Sequence, residues 1–176
     1  LFGIGAIPKV QSRQELDPKT SYVFIANHRS MLDIMLMLYM VNRPFVFMGK
    51  KELAKIPIFG FFYKRTCILV DRKNLRSRAK AMEAATERLD KGLSVCIFPE
   101  GRVPDDRSIV LDTFKDGAFR LAIKHQIAIA PLVFHDNGTC LPYDFGAGKP
   151  MRLRADMLPV EATTKYEYED RFKLRD

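Results

Sequence analysis

The sequence predicts an α/β fold made of one domain. Short apolar runs recur along the 176 residues, and longer apolar or amphipathic segments lie between them, which is the alternation of strands and helices typical of α/β proteins. The hydrophobic fraction of 47% can fill one core, and the length suits one domain. The expected strands are residues 22–26, 67–70, 95–98 and 127–134.

Three helices are expected between these strands. Residues 31–40 form a long apolar segment directly after the first strand. Residues 75–91 place apolar and small side chains on one face and charged ones elsewhere, and Gly92 follows where a helix end often needs a left-handed residue. Apolar residues repeat at helical spacing over 113–125. We expect the helices to pack against the sheet, and residues 142–150 to form a loop.

The chain is basic, with 29 Lys and Arg against 21 Asp and Glu and a formal net charge of +8. This charge indicates an anionic partner, which is a phosphate group, an acidic lipid surface or nucleic acid. Charge alone does not distinguish these three. The sequence has no uncharged apolar run of the roughly 18 residues that a membrane span needs, so we expect any membrane anchor to precede Leu1.

The three cysteines, Cys67, Cys96 and Cys140, predict neither a disulfide framework nor a zinc site. Their number is odd and no two have the Cys-x-x-Cys spacing. Two of them lie in apolar runs. We therefore expect core residues in a reducing compartment.

The stretch from residue 27 to 33 places His28 and Asp33 at the predicted turn from strand to helix. Five residues along a helix rotate by about 500°, so the two side chains would not share a face inside it. The histidine must therefore precede the helix and look back on its first turn. With Ser30 as N-cap, Asp33 falls at the third helical position. A histidine oriented by this carboxylate can take a proton from a hydroxyl near neutral pH.

The same residues also have a structural interpretation. Ser30 and Asp33 together fit a variant of the capping box, and a single histidine after a strand is usually structural. Further segments are needed to distinguish the two interpretations.

Three further segments carry candidate site residues. After the third strand, the segment Phe-Pro-Glu-Gly-Arg places Glu100 and Arg102 at a strand end, where α/β folds commonly build sites, and Gly101 lets the backbone turn there. Arg72 follows the second strand, and Pro131 lies in the fourth. Taken singly, a strand-end arginine is usually solvated, and a proline in a strand usually marks an edge or a bend.

In this order and spacing, the segments closely resemble the glycerolipid acyltransferase family, specifically the 1-acylglycerol-3-phosphate acyltransferases. That family has His-x-x-x-x-Asp, a strand ending in Arg, Phe-Pro-Glu-Gly-Thr-Arg and a proline-bearing apolar strand. The resemblance covers about residues 20 to 134, which we take as the motif-bearing core of one acyltransferase domain over 1–176. The matching blocks are residues 27–33, 50–72, 98–102 and 129–133.

The third block departs from the family pattern. Arg102 stands where the family has threonine, and Val103 follows it, so the guanidinium is displaced by one position. The phosphate contact that the resemblance implies can therefore come from Arg102, or from Arg107 or Lys115 nearby.

The resemblance implies a central mixed sheet flanked by helices, as in glycerol-3-phosphate acyltransferase. It also implies transfer of a fatty acyl group from an acyl carrier protein or coenzyme A thioester to lysophosphatidic acid, giving phosphatidic acid without a cofactor. His28 would be the general base, and Asp33 would hold its tautomer. Ser30 lacks the Gly-x-Ser-x-Gly elbow of a serine nucleophile and is better used as a cap.

The resemblance assigns the remaining residues to the acceptor. Arg72 and Arg102 would bind its phosphate through forked hydrogen bonds. Glu100 would orient the glycerol hydroxyls or the arginine, and backbone amides near Gly101 could face the oxyanion.

The implied partners are a lysophospholipid, the thioester donor and the membrane surface, without nucleic acid, at the cytoplasmic face of a membrane. Residues 56–65 combine aromatic side chains with cations, which suits either an interfacial patch or a core segment followed by surface charges. Two functional alternatives remain: another acceptor, such as glycerol 3-phosphate or a different lysolipid, and a basic module that binds anionic lipid without turnover.

Overall fold

The structure, a computed structural model, describes residues 1–106, 108–142 and 146–176. Strands and helices alternate along the described chain, with three short 3₁₀ turns beside them. The strands are β1 (Ala6–Ser12), β2 (Val23–Ala26), β3 (Phe45–Lys50), β4 (Cys67–Val70), β5 (Ser94–Ile97), β6 (Ile129–Phe134) and β7 (Met151–Met157). The helices are α1 (Leu32–Met40), α2 (Phe59–Thr66), α3 (Leu75–Asp90), α4 (Gly117–His125), α5 (Asn137–Cys140) and α6 (Arg171–Arg175).

The strands form one sheet in the order β1-β7-β6-β2-β5-β3-β4. The β6–β7 pair is antiparallel, whereas the other neighbouring pairs of the described sheet are parallel. This confirms the predicted α/β fold with a central mixed sheet. Because β4, β3, β5, β2 and β6 run in the same direction, their carboxyl ends share one edge, and the loops that follow them are brought together there.

The two faces of the sheet carry separate apolar clusters. In β2, Phe24 and Ala26 pack in the cluster that includes α1, whereas Val23 and Ile25 belong to the cluster that includes α3 and α4. Alternate side chains of a strand point to opposite faces, so α1 covers one face, and α3 and α4 cover the other. All four residues of β2 are buried, as expected of a central strand covered on both sides.

Most predicted elements lie within two residues of the observed ones. The strand predicted at 67–70 is β4, and the helix predicted at 75–91 is α3, which ends at Asp90. Gly92 has a φ of +78°, so the predicted left-handed residue beyond this helix is confirmed.

Helix α4 is the exception, because it begins at Gly117 and not at residue 113 as predicted. Residues 112 and 115, just before it, are bonded to the loop after β5 instead. The backbone N–H of Lys115 donates to the Pro99 carbonyl at 2.9 Å, and the N–H of Asp112 donates to the Glu100 carboxylate at 3.0 Å. These bonds to another loop outweigh the local helical pattern.

Three observed strands, β1, β3 and β7, were not predicted. β1 and β7 pair in parallel at one edge of the sheet. Along β7 the buried Leu153 and Ala155 alternate with the more exposed Arg152 and Arg154, so the strand has one apolar face and little overall hydrophobicity. Residues 143–145 of the predicted loop, and Arg107, lie outside the described residues.

Candidate active site

His28 and Asp33 meet in the turn between β2 and α1. The His28 Nδ1 lies 2.8 Å from Asp33 Oδ2. The Asp33 side chain is fully buried, and 12% of the His28 side chain is exposed. The predicted contact between the two residues is therefore confirmed. Since an ionised carboxylate only accepts hydrogen bonds, Nδ1 is the donor in this contact, and the neutral imidazole then has its lone pair on Nε2.

Several donors hold the buried Asp33 carboxylate. Oδ2 accepts the backbone N–H of Arg29 at 2.6 Å and that of Ser30 at 2.9 Å. Oδ1 accepts the side-chain amide of Asn137 at 2.8 Å. A buried carboxylate needs such partners, because an unpaired one would carry a large desolvation penalty. The carboxylate that orients the imidazole is thus itself fixed by the turn and by α5.

The Ser30 side chain stabilises the turn through hydrogen bonds, but α1 begins one residue later than predicted with Ser30 as its N-cap. The helix starts at Leu32 with Met31 in the capping position, so Asp33 is its second residue and not its third. The Ser30 hydroxyl accepts the Leu32 N–H at 3.1 Å and donates to the Leu141 carbonyl at 2.6 Å. It is fully buried, and both its bonds are structural.

An aromatic stack fixes the plane of the imidazole. The ring centroid of His28 lies 4.2 Å from that of Phe98, with 16° between the ring planes. Phe98 is in turn stacked with Phe47 of β3, with centroids 6.3 Å apart. The sequence pattern did not predict Phe98 as a site residue. Its position at the end of β5, parallel to β2, was the signal that could have found it.

Glu100 holds two loops by their backbone. Its Oε1 accepts the N–H of His28 at 2.6 Å, and its Oε2 accepts the N–H of Asp112 at 3.0 Å. The side chain is buried, and this burial raises the pKa of the Glu100 carboxyl above its ordinary value, partly offset by the two amide donors. Both oxygens therefore bind backbone amides, so Glu100 links the turn at His28 to the segment before α4.

Arg102 points toward acidic side chains of its own loop. Its Nη1 lies 3.6 Å from Asp105 Oδ2 and its Nε lies 3.7 Å from Asp112 Oδ2, while 60% of the side chain is exposed. The N–H of Gly101 donates to the Phe98 carbonyl at 3.0 Å. The amide of Gly101 itself is thus used in a turn, and the expectation that amides near Gly101 face an oxyanion stays a prediction.

A cavity of about 550 Å³ opens between α3 and α4 at the carboxyl ends of β4 and β5; we call it the α3–α4 cavity. Arg72 and Lys115 both line it, together with Gly101, whereas Arg102 does not. Gly101 has a φ of +74°, and a Cβ there would lie 2.6 Å from the Lys115 Nζ. The positive φ favours glycine at this turn, and the absence of a side chain leaves the Lys115 ammonium group room next to it. The apolar lining includes Met48, Val70, Leu75, Met82, Ile97 and Leu121.

Asn27 and Asn137 are functional candidates that sequence reasoning missed. The Asn27 side chain exchanges two hydrogen bonds of 2.8 Å with the backbone of Phe134, which joins the ends of β2 and β6. Asn137 follows β6 and reaches Asp33. The sequence signal for both was their position after parallel strands, but the partners are more than 100 residues apart.

The cysteines form no evident site. Cys96 and Cys140 are buried, Cys67 is partly buried, and all three are free thiols. Burial raises the pKa of each of the three thiols. Within the described parts of the chain, no group of His, Cys, Asp and Glu side chains could hold a metal ion, and no helix is long and apolar enough to cross a membrane.

The fold and the four blocks define a member of the acyltransferase family, since residues 7–135 match the model of the family described as Acyltransferase. The chain is 31% identical over 144 residues to a 1-acyl-sn-glycerol-3-phosphate acyltransferase of Chlamydomonas reinhardtii, covering 81% of this chain and 41% of the relative. It is 36% identical over 137 residues to a 1-acyl-sn-glycerol-3-phosphate acyltransferase of Haemophilus influenzae, covering 76% and 55%. The chain thus spans about half the length of these relatives.

The crystal structure of the 1-acyl-sn-glycerophosphate (LPA) acyltransferase PlsC from Thermotoga maritima has the same fold. The two structures superpose with a TM-score of 0.80 over 96% of this chain and 67% of that chain, at 22% sequence identity.

Proposed function

We propose that this chain carries the active site of an O-acyltransferase that moves a fatty acyl group from a thioester to the free sn-2 hydroxyl of lysophosphatidic acid. The observation that carries the proposal is the bond between His28 Nδ1 and the buried Asp33 carboxylate, because it leaves the Nε2 lone pair to accept a proton. The names of the relatives support the choice of acceptor.

In the proposed reaction, Nε2 of His28 takes the proton of the acceptor hydroxyl as its oxygen attacks the thioester carbon. A carbon–oxygen bond forms and the carbon–sulfur bond breaks, and the imidazolium then returns its proton to the departing thiolate. Asp33 stabilises the imidazolium without accepting its proton. Glu100 acts through the backbone: its bond to the His28 N–H keeps the imidazole at the reacting oxygen.

The acceptor phosphate is proposed to bind in the α3–α4 cavity. Arg72 and Lys115 line this cavity and offer a forked donor and a point charge to one phosphate group. Arg102 remains a candidate, but its contacts with Asp105 and Asp112 favour Lys115 as the second cation. Gly101 supports this arrangement by admitting the Lys115 ammonium group close to its backbone.

The donor is proposed to be an acyl carrier protein or coenzyme A thioester, and the site of action the cytoplasmic face of a membrane, where the lipid acceptor resides. Initial rates measured with an acyl carrier protein thioester and with a coenzyme A thioester show which of the two is the donor. An acceptor panel of lysophosphatidic acid, glycerol 3-phosphate and another lysophospholipid tests the choice of acceptor.

The central test is thiol release from an acyl thioester in the presence of lysophosphatidic acid. We expect His28→Ala to lower the rate by about 10² to 10⁴ without loss of folding, and Asp33→Asn to lower it less. His125→Ala is the control, because His125 lies at the far end of α4 and bonds to Thr86. Wild-type turnover in the His28 variant would refute the catalytic assignment, and binding of anionic lipid without thiol release would favour a non-catalytic module.

A further inference from the structure

We propose that α2 and the turn before it form a docking surface for an anionic lipid bilayer. We call this surface the α2 tip and define it by three apolar side chains, Ile58, Phe61 and Phe62, and the flanking cations Lys55, Lys64 and Arg65. The proposal adds to the function above a physical site at which the chain contacts its lipid phase.

The apolar side chains of the α2 tip are exposed to solvent. Ile58 is 81% exposed, Phe61 56% and Phe62 61%. The two phenylalanines contact each other edge to face, with ring centroids 5.3 Å apart. Single exposed apolar residues are ordinary on protein surfaces, whereas a cluster of them around one turn indicates an interaction site. The alternative from the sequence, that this segment is buried in the core, is therefore wrong for these three residues.

The backbone of Ile58 is also in an unfavourable conformation. Its φ is 61° and its ψ is −59°, and the Phe59 N–H donates to the Pro57 carbonyl at 2.6 Å, which makes a γ-turn of the rare positive-φ form. A β-branched side chain is a steric outlier at positive φ. The chain thus keeps a strained isoleucine that is also exposed to water, and neither feature stabilises the fold. Such outliers concentrate at binding sites.

The charges around the α2 tip match an anionic surface. Lys55, Lys64 and Arg65 are exposed, and Glu52 is the one acid between residues 50 and 66 of the sequence, against five cations. The Arg65 guanidinium lies 3.6 Å from the centroid of the Phe61 ring, and its Nη1 donates to the Phe61 carbonyl at 2.8 Å. Aromatic rings bordered by Lys and Arg suit the headgroup region of a membrane that contains acidic lipids.

The inner side of α2 connects this surface to the α3–α4 cavity. Tyr63 stacks on Phe59 with ring centroids 5.1 Å apart, and its hydroxyl reaches the backbone of Gly49 in β3. Burial raises the pKa of Tyr63 to about 12, and the nearby charge of Arg72 opposes this shift. Since Arg72 lines the cavity, bilayer docking at the α2 tip places the proposed phosphate site next to the lipid surface. This step rests on the proposed function, whereas bilayer binding itself does not.

A bilayer fits the α2 tip better than an acidic carrier protein does. The exposed apolar residues lie on one turn and the first helical turns after it, and cations flank them in sequence, as in segments that enter the headgroup layer. Protein partners usually bury a wider, shape-complementary surface with polar groups at its rim. The acidic protein is therefore the alternative that the experiment must separate.

The test is sedimentation of the chain with lipid vesicles, without donor or acceptor. We expect binding to vesicles of equimolar phosphatidylcholine and phosphatidylglycerol, weaker binding to phosphatidylcholine alone, and a loss of the difference as salt is raised. Equal binding to both compositions at low salt would overturn the charge complementarity.

Three variants test the α2 tip itself. Phe61→Ala with Phe62→Ala should weaken binding to the mixed vesicles roughly tenfold or more, while Phe2→Ala, a 69% exposed phenylalanine next to the opposite edge of the sheet, should not. Ile58→Gly should weaken binding while its melting temperature stays equal or rises, because glycine relieves the positive φ. A drop in melting temperature without a change in binding would contradict the role of the strained turn.

The cations have a charge-matched control. Lys55→Gln with Lys64→Gln should weaken binding about thirtyfold, taking roughly a tenfold change for each 1.4 kcal/mol and about 1 kcal/mol for each cation. Lys19→Gln with Lys91→Gln removes the same charge from exposed positions near the amino ends of β2 and β5 and should have a much smaller effect. Equal losses in both pairs would mean that net charge acts without a specific surface.

Activity gives a second measurement. The Phe61 and Phe62 double variant should lose turnover on lysophosphatidic acid embedded in vesicles and keep it on a short-chain, monomeric form. Loss of both would place the residues in the fold or the active site, against docking. Unchanged vesicle binding with loss of binding to an acyl carrier protein would show that the α2 tip recognises the protein instead.

Discussion

Two buried carboxylates hold the turn that carries His28. Asp33 accepts the backbone N–H groups of Arg29 and Ser30, and Glu100 accepts that of His28. Three successive amides are thus held by two acids, one from α1 and one from the loop after β5. Hydrogen bonds between a charged group and a backbone amide are stronger than neutral ones, so this turn is fixed in position before a substrate binds.

Glu100→Gln should change how the stability of the protein depends on pH. The pKa of Glu100 is raised by burial from its ordinary value of 4.5, so the folded protein binds this proton more tightly than the unfolded chain does. The contribution of Glu100 to stability is then greatest below its unfolded pKa and is lost as pH rises through the folded pKa. Because glutamine does not ionise, the variant should gain stability relative to the wild type from acid to neutral pH, measured by urea unfolding.

Glu161→Gln is the control, because the pKa of Glu161 is shifted in the direction opposite to that of Glu100. The hydrogen bond from Lys165 lowers the pKa of Glu161, so its contribution is present above the unfolded pKa and is lost as pH falls through the folded pKa. This variant should lose stability relative to the wild type over the same rise in pH. The same trend in both variants would contradict the burial-driven shift at Glu100.

Lys115→Ala should separate acceptors by their phosphate. A charged hydrogen bond contributes about 1.5 to 3 kcal/mol, so the variant should lose roughly tenfold to hundredfold in kcat/KM for lysophosphatidic acid and little for a monoacylglycerol. Arg102→Ala should have a smaller effect on this ratio, because Arg102 contacts Asp105 and Asp112 outside the cavity. Initial rates on both acceptors give the ratio of the two kcat/KM values. A larger loss of selectivity in the Arg102 variant would show that Arg102, and not Lys115, binds the acceptor phosphate.

At the scale of residues, local contacts could be predicted and distant ones could not. His28 and Asp33 are five positions apart, so turn geometry alone brings them together. The bond from Glu100 to the same turn spans 72 positions, and that from Asn137 to Asp33 spans 104. Such pairs depend on which strands are neighbours, and no periodicity in the sequence contains that information.

At the scale of elements, apolar strands and amphipathic helices could be predicted from the sequence, but the edge strands with many polar residues could not. β4 and α3 have strong patterns and lie where the sequence placed them. β1 and β7 pair with each other at the edge of the sheet, and in each strand exposed residues alternate with buried or partly buried ones over most of its length. Their β structure is therefore a consequence of pairing, which overrides weak local preference.

Helix α2 depends on one glycine. The Cβ of an alanine at Gly60 would overlap the backbone carbonyl of Ala54, which cannot move aside as a flexible side chain can. We expect Gly60→Ala to lower the free energy of unfolding by about 1 to 3 kcal/mol. Gly117→Ala is the matched control, because a Cβ there meets no atom within 4 Å, and at the start of α4 it should be neutral or stabilise by up to about 1 kcal/mol. Chemical denaturation of both variants measures the difference, and equal effects would refute the contact at Ala54.

At the scale of the whole molecule, the site is made by one sheet edge. Candidate residues follow β2, β4, β5 and β6, whose carboxyl ends lie together because these strands run in one direction. His28 and Asn137 thereby reach the same carboxylate. The site therefore exists only when the central sheet is assembled, and its integrity reports on the folding of the chain as a unit.

We accordingly expect the 176 residues to unfold in one cooperative transition. The apolar clusters lie on opposite faces of one sheet, so neither can lose its packing while the strands between them stay ordered. Phe119→Ala in one cluster and Leu153→Ala in the other should lower stability by about 3 to 5 and 2 to 5 kcal/mol, and each should shift the whole transition. Circular dichroism of the backbone and tyrosine absorbance, followed in parallel, should give coincident curves. Two separated midpoints, with each substitution moving only one of them, would show that the chain contains two folding units.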